Sequence, residues 1–212
     1  MGDSWLERNW DDVPTPCYVV DEESLRANLA ILSHVQQQTG CTIILALKGF
    51  AMWSTFPIIR QVLRGTTASS LDEARLEFDE FGGEVHVYAP AYRDDEIHEL
   101  LRYADHITFN SLNQWQRFKG YVLACDKPVS AGLRINPEHR EVEVALYDPC
   151  APGSRLGIRS EQLEGANLAG IEGLHFHTLC ELNADSLERT LAVVEQKFGP
   201  YLQEMSWINF GG

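Results

Sequence analysis

From about residue 17 onward, short apolar runs alternate with amphipathic stretches, the pattern of repeated strand–helix units around a parallel sheet. Strands are predicted over residues 42–48, 65–69, 85–89, 106–110, 130–136, 173–178 and 206–210. The stretches between them carry helix signals. Asp21 is placed to cap a helix with Glu22 and Glu23 in its first turn and Leu25, Leu29 and Leu32 along one face. Asp94 stands in the same relation to Ile97, Leu100, Leu101 and Ala104. Asp185 precedes Leu187, Leu191, Val194 and Phe198, whose spacing predicts a helix with one face on the sheet.

Seven such units suit an α/β fold of the (β/α)8, TIM-barrel type, whose closure needs eight strands. No Pro/Gly/Ser-rich linker, low-complexity tract or charge block divides the chain, so residues 1–212 read as one domain, with 137–153 as its long irregular excursion. The sequence stops at Asn209-Phe210-Gly211-Gly212, directly after a strand. The expectation is therefore the N-terminal part of a barrel, about one strand–helix unit short of closure.

With 212 residues, 44% of them hydrophobic, the chain can bury a substantial core. Its five cysteines, Cys17, Cys41, Cys125, Cys150 and Cys180, include no Cys-x-x-Cys pair, which argues against both a disulfide framework and a zinc site. The start lacks a secretory signal, and no apolar run approaches the ~20 residues needed to span a bilayer. A cytoplasmic protein away from membranes is expected. A formal charge of −14 disfavours nucleic acid and anionic lipid as partners and is permissive toward a cationic small molecule.

The working residues of such a barrel sit at the carboxyl ends of its strands. The most telling is Lys48, which ends the uncharged run Thr42-Ile43-Ile44-Leu45-Ala46-Leu47. An ammonium is costly to remove from water, so a lysine here is paired, snorkelling to the surface, or partly deprotonated and used as a nucleophile. Tyr88, Asn110, Arg134 and Asn136 fall at later strand ends. His175 and His177 alternate on the sixth strand and share one side, with Cys180 and Glu181 just beyond. No third ligand accompanies them, so no metal is expected, and an imidazole stacked on a flat cofactor suits the position. Gly211-Gly212 after the last strand would let backbone N–H groups approach an anion, although such a pair is also an ordinary turn.

A family resemblance gathers these residues. Thr15-Pro16-Cys17-Tyr18-Val19-Val20-Asp21, Ala46-Leu47-Lys48, Ala68-Ser69-Ser70-Leu71, Leu133-Arg134-Ile135-Asn136-Pro137, Ser154-Arg155-Leu156-Gly157 and the run from Gly173 to Glu181 resemble the alanine-racemase-fold decarboxylases that use pyridoxal phosphate. Within that group the chain most resembles the carboxynorspermidine (carboxyspermidine) decarboxylases, through Ala68-Ser69-Ser70-Leu71, His177-Thr178-Leu179-Cys180-Glu181 and Tyr147-Asp148-Pro149-Cys150. The resemblance implies pyridoxal 5'-phosphate as cofactor, with Lys48 as its covalent anchor and the catalytic residue. It also implies His177 stacked on the ring, Gly211 and Gly212 at the phosphate, and Arg134 and Arg155 near the cofactor. Cys180 and Glu181 fall on the substrate side, where Glu181 could pair with a cationic polyamine nitrogen. The implied reaction is decarboxylation of carboxynorspermidine or carboxyspermidine to norspermidine or spermidine in polyamine biosynthesis. A homodimer is implied as well, its sites completed by a C-terminal β-domain that residues 1–212 do not include. Thr67 and Cys180 depart from the ornithine enzymes, which carry an acidic residue and a serine there. Open alternatives are a diaminopimelate or other amino-acid decarboxylase, a pyridoxal-phosphate-binding barrel without turnover, and a cofactor-free lysine aldolase.

Overall fold

The computed structural model describes residues 9–211, which divide between Cys41 and Thr42 into two compact units. The first carries helix α1 (Glu22–Thr39). As expected, Asp21 caps it, accepting the Glu23 N–H and the Ser24 hydroxyl, each at 3.1 Å. Leu29 is buried and Leu25 and Leu32 half-buried, so the predicted apolar face is the protected one.

The second unit holds seven parallel strands in sequence order among the described residues. They are β1 (Leu45–Ala46), β2 (Gly65–Ala68), β3 (Glu84–Tyr88), β4 (His106–Phe109), β5 (Ser130–Arg134), β6 (Gly173–His175) and β7 (Trp207–Asn209). Each falls within one residue of a predicted segment, and all seven end earlier than expected. At β1 the reason is a turn: the N–H groups of Gly49 and Phe50 fold back onto the Ala46 carbonyl at 3.0 and 3.1 Å. Lys48 therefore stands on that turn, outside the ladder.

Around the sheet run α2 (Phe56–Ile59), α3 (Leu71–Leu76), α4 (Ile97–Tyr103), α5 (Leu112–Leu123), α6 (Ser160–Leu163) and α7 (Ala184–Leu202). Ser70 and Ser111 cap α3 and α5, each accepting an N–H at 3.2 Å. The expected cap at Asp94 is not made. Helix α4 starts at Ile97 without a side-chain cap, and Asp94 instead pairs with Arg117. A carboxylate three residues ahead of a helix is free to find a guanidinium when the chain between makes its own turn. In α7 the buried stripe is Ser186, Thr190, Val194 and Phe198, rotated from the expected one; Leu187 and Leu191 are half-buried. The inward hydroxyl of Thr190 is satisfied locally by the Ser186 carbonyl at 2.8 Å.

The strands alternate strictly. Val85, Val87, Ile107, Phe109, Ala131, Leu133, Leu174 and Phe176 join the helices in one apolar core. The intervening residues turn the other way, and register places His86 beside Thr67 and His106, Gly173 beside Gly132 and Trp207, and His175 beside Arg134 and Asn209. Helix packing is thus apolar, whereas the inside of the curled sheet is polar and aromatic. Beneath α3, in the helix-facing layer, Glu77 is fully buried, with one oxygen accepting the Thr66 N–H at 2.7 Å. Burial pushes its carboxyl up to about 7. Among the described residues no helix is long and apolar enough to cross a membrane.

Candidate active site

The inward side of the sheet encloses a cavity of about 210 Å³, lined by residues of β1 to β4, β6 and β7 and of the segments after them. Lys48, Tyr88, His177, Asn209 and Gly211 border it at the carboxyl ends of the strands, with Ala46, Thr67, Thr108 and His175 along its walls. Lys48 is exposed, so it reaches both water and the cavity from the turn after β1. The expectation that Lys48 is the last residue of its strand is corrected by that turn, which puts it two residues past β1, still at the carboxyl end and bordering the cavity.

Arg134, 4% exposed, does not itself border the cavity and stands behind two residues that do, Tyr88 and His177. Its Nη1 donates to the Tyr88 hydroxyl at 2.5 Å and its Nη2 to the His177 carbonyl at 3.0 Å, with the guanidinium 5.0 Å from the Tyr88 ring centre. Among the described residues neither Lys48 nor Arg134 has a carboxylate within ion-pair distance. His175 is buried, with Nδ1 unpartnered. Burial, reinforced by Arg134, His177 and Lys48, pushes its imidazole down to about 3. His177 is pushed down to about 4, again by burial first and then by Lys48 and Arg134. The layer therefore sets a lysine and an arginine beside two imidazoles that burial keeps uncharged, with no carboxylate side chain among the described residues that line the cavity.

Gly211 closes one side. Its φ is 72°, and a β-carbon there would come within 2.6 Å of the Phe176 carbonyl and 2.8 Å of His177 Cα. Only glycine lets the backbone lie this close to His177. Its N–H donates to Asn209 Oδ1 at 2.8 Å, so that group is engaged within the chain. Gly212 lies outside the described residues. Two cationic side chains with no carboxylate beside them among the described residues, and an orphaned ring nitrogen, suit a flat, anionic ligand.

The other sequence-predicted residues lie elsewhere. Arg155 is exposed and borders a separate groove with Ser111, Ser154 and Arg159, while its carbonyl accepts Asn110 Nδ2 at 2.8 Å. Cys180 and Glu181 are exposed in the turn after β6, Glu181 with a φ of 55°, and neither borders the cavity.

A second histidine layer is not legible in the sequence. His86 and His106 are register partners on β3 and β4, their rings stacked at 4.2 Å with 5° between planes. Glu84 lies 3.3 Å from His86, and the ligand-capable atoms of the three residues fall within 4.8 Å of one another. Stacked rings send their lone pairs side by side instead of toward one point, so this arrangement does not form a convergent metal cage. Trp207 lies against the same layer, 5.4 Å from the His106 ring, with Nε1 donating to Ser130 Oγ at 2.8 Å. The visible signal is alternation in Glu84-Val85-His86-Val87-Tyr88; what it lacks is the register that pairs His86 with His106.

No protein-family model matches the chain. It is 49% identical over 200 residues to the carboxyaminopropylagmatine decarboxylase of a Synechocystis strain, covering 94% of this chain and 51% of that protein. It is 42% identical over 203 residues to the carboxynorspermidine/carboxyspermidine decarboxylase of Campylobacter jejuni, covering 96% of this chain and 52% of the relative. The crystal structure of carboxynorspermidine decarboxylase from Campylobacter jejuni, complexed with norspermidine, superposes with a TM-score of 0.84 at 41% identity, over 94% of this chain and 51% of that one. The chain thus spans about half the length of the curated relatives it matches. Over that half, in sequence and in barrel fold, it is homologous to the carboxynorspermidine and carboxyspermidine decarboxylases.

Proposed function

We infer that residues 1–212 are the cofactor-binding barrel portion of a pyridoxal-phosphate-dependent decarboxylase that acts on a carboxylated aminopropyl polyamine, carboxynorspermidine or carboxyspermidine. The observation that carries the reading is the mouth layer itself: Lys48 and Arg134 with no carboxylate partner among the described residues, beside two neutral histidines and Gly211. Those groups fit a flat cofactor bearing a phosphate. When bound, the cofactor supplies an electron sink for the pair left behind as carbon dioxide departs.

The chain's own residues do the holding. Lys48 would hold the cofactor through its amine, which is open both to water and to the cavity. His177, kept uncharged by burial, would support the cofactor ring without adding charge to it. Arg134, Gly211 and Gly212 serve the anionic side, and Arg155 stands in its separate groove nearer the outer end of the β5 loop. Cys180 and Glu181, exposed at the same end of the barrel, face the route of a cationic substrate, with the Glu181 carboxylate available to one of its nitrogens. We place the whole protein in the cytoplasm as a homodimer, its sites completed by residues outside this chain.

A second substrate reading has a specific support. The Synechocystis relative is the more similar of the two described, 49% against 42%, and its name points to a guanidine-terminated substrate, carboxyaminopropylagmatine. Assaying full-length protein with both substrates in parallel separates the two.

The test of the central assignment is borohydride reduction of full-length, cofactor-loaded protein followed by peptide mass analysis. The expected adduct is on Lys48, and Lys48→Ala is expected to lose the visible cofactor absorbance and at least about a thousandfold in turnover. An active enzyme whose adduct lies on another lysine overturns the assignment.

A further inference from the structure

The Arg134 guanidinium is aimed by a chain of hydrogen bonds that crosses three strand ends. The Tyr88 hydroxyl accepts from Arg134 Nη1 at 2.5 Å and gives its single proton to Asn110 Oδ1 at 3.0 Å. Asn110 Oδ1 also accepts the Gly157 N–H at 2.9 Å, and Asn110 Nδ2 donates to the Arg155 carbonyl at 2.8 Å. With donors on the oxygen side and an acceptor on the nitrogen side, the Asn110 amide has one workable orientation. Asn110 is 9% exposed, and its own N–H is held by Gln114 Oε1 at 2.9 Å.

The far end of the chain is equally fixed. Gly157 has a φ of 84°, and a β-carbon there would stand 2.8 Å from the Ile135 carbonyl oxygen. Ile158 then pairs with the end of β5, its N–H donating to the Arg134 carbonyl at 2.9 Å. The loop therefore grips Arg134 twice, through its backbone directly and through its guanidinium by way of Asn110 and Tyr88. Burial raises the Tyr88 phenol above its ordinary range, so the hydroxyl stays protonated and keeps its donor role toward Asn110.

We propose that Tyr88 and Asn110 are positioning residues: they hold the Arg134 guanidinium so that its three remaining N–H donors are presented to an anionic group bound beside Lys48. This rests on the decarboxylase reading, because the anionic group is the cofactor or the substrate of that reaction. A guanidinium has five donors, of which the structure commits two. Without the Tyr88 hydroxyl, one committed donor loses its acceptor in a buried wall, and the guanidinium is free to rotate away from the aim that the other bond sets.

The test is a double-mutant cycle on full-length, cofactor-loaded enzyme with Tyr88→Phe and Arg134→Lys. Tyr88→Phe is expected to retain the cofactor absorbance while lowering kcat/KM roughly 10- to 100-fold, the loss of one hydrogen bond to a charged group. In the Arg134→Lys background the same change is expected to cost little more, because there is no guanidinium left to aim. A Tyr88 that only fills space would lower Tm without changing kcat/KM, and costs that multiply independently would also overturn the proposal. Should Tyr88→Phe fail to fold, Asn110→Ser takes its place in the cycle with Arg134→Lys, where a non-additive loss supports the proposal and independent losses overturn it. A wild-type enzyme that binds no cofactor sinks the decarboxylase reading; a loaded, active wild type matched by Tyr88→Phe sinks this proposal alone.

Discussion

The inside of one barrel carries two histidine layers, and they are built for opposite ends. At the mouth, His175 and His177 sit among Lys48 and Arg134, and among the described residues no carboxylate pairs with either cation. At the floor, His86 and His106 stack on each other within reach of Glu84, which itself pairs with Arg64 at 2.7 Å, while Ser130 links Trp207 to Glu172. Burial lowers all four imidazoles. The same residue type therefore stands beside two cationic side chains above and within reach of a carboxylate below, where His86 and Trp207 form the base of the same cavity. What differs between the layers is the partner set.

The floor is where the largest effect on folding is expected. The Trp207 indole occupies the space above two glycines, and a β-carbon on Gly173 would lie 2.0 Å from it. Gly173→Ala is expected to lower Tm by roughly 5–10 °C through overpacking. An unchanged Tm would show that the indole can move aside and would break the account of a rigid floor.

The two layers separate more finely under alanine substitution. In full-length enzyme His177→Ala is expected to lower turnover about tenfold or more with little change in Tm, whereas His106→Ala lowers Tm and leaves turnover per folded molecule near wild type. Equal effects of the two on turnover would erase the distinction between the layers.

The smallest effect is in pH dependence. His86, His175 and His177 have folded values of about 4, about 3 and about 4, below the ordinary 6.5, so on acidification the unfolded chain takes up protons first. Their contribution is present above pH 6.5 and is lost as pH falls toward 4 and below. Glu77 runs the other way: raised from 4.5 to about 7, it favours folding below pH 4.5 and loses that contribution as pH rises through 7. Urea midpoints between pH 4 and 8 are expected to fall on the acid side in wild type, and Glu77→Gln, which removes an opposing slope between pH 4.5 and about 7, is expected to steepen that fall. An acid limb that Glu77→Gln abolishes would reverse these assignments.

Much of this was legible in the chain. All seven strands stand where apolar runs end in turns, and the cap of α1 follows from Asp21 ahead of an acidic first turn. Lys48, Arg134 and His177 gather at one mouth because parallel strands end together, which strand order alone implies. The polar lining is legible in retrospect in segments such as His106-Ile107-Thr108-Phe109, where every second residue is apolar and joins the helix layer. What the sequence could not convey was long-range register. Nothing local to Tyr88, Asn110 or Gly157 says that they meet, because 22 and 47 residues separate the partners. Asp94 misled for the same reason: its true partner, Arg117, lies 23 residues on.

The indole seated on Gly132 and Gly173 belongs to Trp207, which also lines the cavity that Lys48 borders. The ring gives that cavity a solid base over the starts of β5 and β6, and a molecule lying beside Lys48 meets an indole beneath it instead of an open channel.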